Sequence, residues 1–230
     1  MNYYANNLNA YRLQDVYQTQ LPAVREYLDS EIAFVRGRLS GTERILELGA
    51  GYGRIMRELS PYCGRITGID ISEDNVAWGQ EYLREAHNAD LLTMDAHQIT
   101  AESFDSAFNM VLCLQNGLSA MKAEPLSFIG MMLSLLVPGG SVIISTYSEK
   151  FWQHRLAWFI EQADKGLLGE IDPKQSRDGI IVCKDGFQSL SHTPEQFTDI
   201  GRSTGYPYEI VEVQEASLFL IITKVKYEKP

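Results

Sequence analysis

The residues best suited to chemistry lie between 47 and 96. Glu47-Leu48-Gly49-Ala50-Gly51-Tyr52-Gly53 is a glycine-rich stretch that opens on an apolar run, and glycines there let the backbone take positive φ and come close to a ligand. Asp70 follows about twenty residues on, where an acid can accept hydrogen bonds from the hydroxyls of an adenosine ribose. A dinucleotide loop reads Gly-x-Gly-x-x-Gly and lays its pyrophosphate on a helix N-terminus. Here the glycines stand at 49, 51 and 53, and Arg54 takes the place of the last glycine of that pattern. Glu47 adds a carboxylate at the loop mouth, which repels a pyrophosphate but suits a ligand carrying an ammonium and a sulfonium. This set favours S-adenosylmethionine over NAD.

Such residues need strand ends to hold them. Apolar residues at Leu21, Val24, Leu28, Ile32 and Val35 recur at helical steps, so residues 1–40 read as an N-terminal helical lid. Its tyrosines Tyr3, Tyr4, Tyr11 and Tyr17 could fold over a site. A catalytic domain is expected over 41–230. Strands are predicted at 44–48, 65–69, 89–93, 110–114 and 141–147, each short, apolar and bounded by turn residues. Helices are predicted at 54–62, from a Ser72 cap to near 87, and at 125–136, the last stopped by Pro138-Gly139-Gly140. This alternation predicts an α/β fold, a doubly wound, Rossmann-like and mostly parallel seven-stranded sheet, with 208–213 and 217–225 closing one edge as an antiparallel hairpin. Residues 150–190 read as a small cap insertion; its aromatics Phe151, Trp152, Trp158 and Phe159 are spaced as core, and Trp78 is expected between its helix and the sheet.

With these motifs in order, residues 40–147 resemble the class I S-adenosylmethionine-dependent methyltransferases. By that resemblance Glu47, Gly49, Ala50, Gly51 and Gly53 hold the methionine portion, and Asp70 holds the ribose with Ile71 against the adenine. Asp95-Ala96 matches the Asp-Ala pair that reads the adenine edge, and Val137-Pro138-Gly139-Gly140 matches the turn before the fifth strand. The family's Phe-Asp at the start of the fourth strand has two counterparts, Phe108-Asn109 and Phe104-Asp105. Cys113-Leu114-Gln115-Asn116 is similar to the Cys-Leu-x-Asn stretch of glycine N-methyltransferase-like enzymes. That likeness implies a Leu114 carbonyl on the methionine ammonium and Asn116 facing a small-molecule acceptor.

Methyl transfer from a sulfonium is an in-line displacement that needs positioning more than covalent chemistry, and a base only when the nucleophile carries a proton. Candidate catalytic residues are Asn116, Tyr17 and His97; candidate substrate contacts are Tyr11, Tyr17, Asn116 and Tyr147. His154 and His192 are further candidate bases, each more simply read as a packing or surface residue. Thirty acidic against twenty basic residues give a formal charge of −10, which disfavours a nucleic-acid partner. Three scattered cysteines with no Cys-x-x-Cys pair argue against a disulfide framework or a metal site. Apolar runs too short to span a bilayer leave a cytoplasmic protein, a monomer or homodimer, as the expectation. The alternatives are a catalytically silent S-adenosylmethionine-binding module, an aminopropyl transferase and, more distantly, an NAD-dependent dehydrogenase.

Overall fold

The computed structural model describes residues 10–225, so Tyr3 and Tyr4 lie outside the described residues. The strands are β1 (Arg44–Leu48), β2 (Arg65–Asp70), β3 (Ala89–Thr93), β4 (Phe108–Cys113), β5 (Leu136–Tyr147), β8 (Tyr208–Val213) and β9 (Ser217–Thr223). They form one seven-stranded sheet in the order β3-β2-β1-β4-β5-β9-β8. The first five run parallel, and β9 pairs antiparallel with both β5 and β8. The expected sheet and its closing hairpin are therefore both present. A separate two-stranded ribbon, β6 (Ile180–Val182) with β7 (Gln188–Leu190), lies within the 150–190 stretch.

Helices α1 (Tyr11–Tyr17), α2 (Pro22–Arg36), α3 (Arg54–Leu59) and α4 (Glu73–Tyr82) come from the first half of the chain. The second half supplies the short α5 (Gly117–Ala120), α6 (Pro125–Ser134), α7 (Trp152–Asp164) and α8 (Pro194–Ser203). Side chains alternate across a strand, so the buried strands feed two faces at once. Leu46, Leu48, Val111, Cys113, Ile144 and Leu220 share a core with Phe128 and Ile129 of α6 and Phe197 of α8. Ile45, Leu112, Ile143 and Ile221 point the other way, to Ile32 and Val35 of α2 and Ile55, Met56 and Leu59 of α3. The same period places Glu47 of β1 and Ser145 of β5 on the α2 face, beyond the apolar layer.

Among the described residues before 41, only α1 reaches the cleft described below; α2 is core, with Val24, Tyr27 and Val35 fully buried. A third cluster joins Val16, Val24, Tyr27 and Leu28 to Phe151, Trp158 and Phe159 of α7. Polar ties reinforce it. Glu161 accepts from the Thr19 hydroxyl at 2.5 Å and the Gln20 backbone at 3.1 Å. Lys165 donates to the Gln18 carbonyl at 2.7 Å, and the Trp158 indole donates to the Val16 carbonyl at 3.1 Å.

Three expectations are corrected. Helix α4 ends at Tyr82 rather than near 87, and Asn88 instead donates to the carbonyls of Ser60 and Cys63. Trp78 is 40% exposed: α4 approaches the sheet through Gly79, where a Cβ would sit 2.3 Å from Leu91 Cδ2, so the residue beside it turns outward. Pro138-Gly139-Gly140 lies inside β5, whose pairing with β4 shifts register between Phe108 and Met110, and α6 has already stopped at Ser134. The strand start is Phe108-Asn109, with the Asn109 side chain accepting from the Arg44 backbone at 2.8 Å.

Phe219 is fully buried on β9 and stacks on Phe34 at 4.1 Å between ring centroids. Phe219→Ala is expected to lower stability by about 3–5 kcal/mol, read as an earlier midpoint in urea unfolding.

Candidate active site

At the carboxyl end of β1 the chain turns through Gly49, Gly51 and Gly53, with φ of 69°, 58° and 85°. At Gly51 a Cβ would meet Leu13 of α1 at 2.7 Å, and at Gly53 it would meet Leu83 at 2.6 Å; those leucine ends can shift, so it is the positive φ that calls for glycine there. Glu47 lies in the strand itself, one residue before its end. The loop closes one side of a cleft running from Asp95 and His97, past Asp70, to Glu47, Arg54 and Tyr17.

Asp70 ends β2 and is held from three directions. Its Oδ2 accepts from the Gly51 backbone at 2.9 Å; its Oδ1 accepts from the Ser72 backbone at 2.9 Å and the Asn75 amide at 3.1 Å. A carboxylate offers about four lone-pair sites, so roughly one stays free for a ribose hydroxyl. Asp95 accepts from the His97 backbone at 2.9 Å and the Gln98 side chain at 2.8 Å, and the first of these chiefly lowers its pKa. Ala96 is buried in the wall, and Ile71, 46% exposed, lines the mouth. His97 also lines the cleft, with a ring nitrogen 3.0 Å from the Met121 carbonyl. Leu114 is on the wall too, its carbonyl accepting from the Gly117 backbone at 3.0 Å.

The other end of the cleft is charged and poorly satisfied. Glu47 is 4% exposed, and its Oε2 has no hydrogen-bond partner among the described residues. Burial raises its pKa to about 8, opposed by Arg54 and reinforced by Glu31 and Asp70. Arg54 opens α3 with its guanidinium 4.6 Å from the centre of the Tyr17 ring, and its Nε and Nη2 are buried without partners. Each such buried orphan costs about 1–3 kcal/mol, so a site that keeps several side by side is built to receive complementary groups. Burial likewise pushes the Tyr17 hydroxyl up to about 12.

The predicted acceptor contacts divide. Tyr17 and His97 line the cleft; Asn116, Tyr147 and Tyr11 do not. Asn116 is 4% exposed, its Oδ1 accepting from the Thr146 hydroxyl at 2.8 Å and its amide donating to the Leu190 carbonyl at 2.6 Å. That side chain locks the strand ends to the cap ribbon and has little left for an acceptor. Tyr147 is stacked on Tyr27 at 5.3 Å within the cluster beneath the cap. Tyr11 is 64% exposed, and His192 stacks on Phe197, burial lowering its pKa. Sequence reading passed over Arg54, Gln115, Asn75 and Tyr52, all on the wall. For Arg54 the signal was present: a cation directly after a glycine loop is poised at a helix start.

The parallel sheet with its reversed final hairpin, carrying this cleft at the strand ends, has the Rossmann-like fold of the class I S-adenosylmethionine-dependent methyltransferases. Residues 45–140 match the family model described as a methyltransferase domain. A ubiquinone biosynthesis O-methyltransferase of Aromatoleum aromaticum is 27% identical over 113 residues, 47% of this chain and 46% of that protein. The chain thus spans about half the length of the curated relatives it matches. The DhpI–SAH complex superposes with a TM-score of 0.65 at 17% identity, over 97% of this chain and 94% of that one. The [4+2]-cyclase SpnF superposes at 0.57 and 18% identity, over 84% and 79%. At these identities the structural likeness is one of fold.

Because the Glu47 pKa is raised on folding, the folded protein holds a proton that the unfolded chain releases between about pH 4.5 and 8. Stability therefore falls as pH rises through that window. Glu47→Gln removes the effect and is expected to stabilise the ligand-free protein by on the order of 1–3 kcal/mol at pH 8, with little change at pH 4.5, measured as denaturant midpoints at the two pH values.

Proposed function

We propose that the chain is a methyltransferase that passes a methyl group from S-adenosylmethionine to a small-molecule acceptor. The observation that carries this reading is the pairing, in one cleft, of a buried carboxylate and a partly buried guanidinium that both keep unpartnered atoms, Glu47 and Arg54. A carboxylate acceptor beside a guanidinium donor complements the ammonium and carboxylate of an amino acid. Asp70 and Asp95, farther along the same cleft, suit the ribose and adenine of an adenosine. An amino acid joined to an adenosine is the outline of this donor, and the fit rests on atoms that are otherwise unsatisfied.

When bound, S-adenosylmethionine supplies a methyl carbon on a sulfonium, open to in-line displacement. On this reading Glu47 and Arg54 fix the amino-acid end, and Asp70 with Asp95-Ala96 fixes the adenosine. The Gly49–Gly53 backbone lets the ligand lie close, and Leu13 and Tyr17 of α1 keep water from the cleft. Exclusion of water strengthens each of these electrostatic contacts.

The acidic total charge of −10 supports a small soluble acceptor over a nucleic acid. Among the described residues no helix is long and apolar enough to cross a membrane. Three buried free thiols suit a reducing compartment, in keeping with a cytoplasmic monomer or homodimer. A second reading, binding of the donor without methyl transfer, gains support from the likeness to the [4+2]-cyclase, an activity that is not a methyl transfer.

Calorimetric titration with S-adenosylhomocysteine is expected to show one site, weakened about tenfold to a hundredfold by Asp70→Ala or Arg54→Met. NAD is expected to leave the melting temperature unchanged. No binding at millimolar ligand would overturn the reading; binding with no turnover across a broad screen of amines and hydroxy compounds, using labelled donor, would shift it to the silent alternative.

A further inference from the structure

A second set of unsatisfied polar atoms lies beside the first, on α2 and just past β4. Tyr27 and Glu31 are four residues apart on α2, hence on one helix face, and both are fully buried. Glu31 Oε1 accepts from the Ser145 hydroxyl and from the Gln115 backbone at 3.3 Å, while its Oε2 accepts nothing. The Tyr27 hydroxyl has no partner either.

Gln115 follows β4 with φ of 53°, a left-handed conformation rare outside glycine and recurrent at functional sites. Its backbone N–H is also held by Ser145 Oγ at 2.8 Å. Its side chain lines the cleft, and its Nε2 is buried beside the Glu31 carboxyl yet outside hydrogen-bond geometry. A strained backbone thus sets Gln115 on the cleft wall in front of Glu31, which is fully buried and does not itself line the cleft, so a ligand reaches that carboxylate as the Gln115 side chain turns aside.

The local charge count narrows what fits. Arg54 is the cation that acts on both Glu31 and Glu47, and the hydroxyls of Tyr17, Tyr27 and Tyr147 also face Glu31. Once an amino-acid ligand engages Glu47 through its ammonium and Arg54 through its carboxylate, Glu31 has lost its share of that guanidinium. A buried carboxylate in that position calls for a cation of its own. Burial, the largest influence, also raises the Glu31 pKa against the pull of Ser145 and Arg54, which makes it a better proton acceptor than an exposed carboxylate.

Resting on the methyl-donor reading above, we propose that Glu31 and Gln115 form the acceptor subsite and that the acceptor is a small primary or secondary amine. Its ammonium binds the free oxygen of Glu31, and Gln115 donates to a neighbouring acceptor atom of the same molecule. One proton passes from the ammonium to Glu31 and frees the nitrogen lone pair. That pair forms the N–C bond to the methyl carbon as the C–S bond breaks, and the electrons of the broken bond stay on sulfur as the thioether. The product leaves as an N-methylammonium, and Glu31 returns its proton to water.

The test compares the full chain with Glu31→Gln and Glu31→Asp. Glutamine keeps the acceptor for Ser145 and the Gln115 backbone but removes the charge; aspartate keeps the charge. Each protein is titrated with S-adenosylhomocysteine and S-adenosylmethionine, melted, and assayed with labelled donor on ethanolamine, N-methylethanolamine, glycine and putrescine against catechol. The expected result is turnover of an amine whose KM rises at least about tenfold in Glu31→Gln, with S-adenosylhomocysteine affinity preserved and the melting temperature not lowered. Glu31→Asp is expected to restore part of the loss, and the acid limb of the kcat/KM profile to flatten in Glu31→Gln.

Turnover of catechol alone, or an amine KM that Glu31→Gln leaves unchanged, overturns the proposal while the donor reading stands. A Glu31→Gln protein that loses S-adenosylmethionine but not S-adenosylhomocysteine makes Glu31 a counter-ion to the sulfonium, and also overturns it. Loss of the fold in Glu31→Gln but not in Gln115→Leu, with Gln115→Leu matching the wild-type amine KM, assigns the pair a structural role and overturns it likewise. Absence of S-adenosylhomocysteine binding in the wild type removes the donor reading, and the proposal falls with it.

Discussion

Helix α2 lies across the ends of β1, β4 and β5, where Glu31 and Glu47 are buried and two of the three guanidinium nitrogens of Arg54 are also out of water. Charged groups deprived of solvent need either partners or a ligand, and here the protein supplies only part of what they need. That shortfall organises the rest. The apolar layer below, Ile45, Leu112 and Ile143 against Ile32 and Val35, holds the helix down firmly enough to sustain the cost. The glycine loop and α1 then shape the opening through which a complementary molecule meets those groups.

The strands explain why the charges converge. Glu47 and Ser145 inherit their direction from the alternation that puts Ile45 and Ile143 on the α2 face. Two strands separated by nearly a hundred residues thereby present polar side chains to the same helix. Glu31 sits where the stripe Val24, Leu28, Ile32, Val35 would place an apolar residue, so the helix delivers a carboxylate into a position its neighbours make dry. The glycine loop only sets the distance of approach; the chemistry comes from what α2 and α3 bring to it.

Much of this is written in local pattern. The buried strands show as unbroken apolar runs, and the Ser72 cap and the glycine loop are read from their own chemistry, so the sheet and its order of elements follow from the sequence. Where expectation and structure part, a contact distant in sequence decides. Pro138-Gly139-Gly140 resembles a helix stop until the register shift against β4 makes it a strand irregularity. Asn116 looks like a substrate contact until Thr146 and Leu190 claim both ends of its amide. Glu31 carries no motif of its own; it matters because tertiary packing buries it near Arg54.

The ties between the first helices and α7 have a different consequence. Val16, Thr19 and Gln20 on one segment, and Trp158, Glu161 and Lys165 on the other, join pieces of chain some 140 residues apart into one shell over the strand ends. In sequence that shell is two segments; in space it is a single part, set over the sheet and the glycine loop. A change of shape in this shell is thus constrained to alter both segments in concert, because replacing either alone leaves the other without its buried partners.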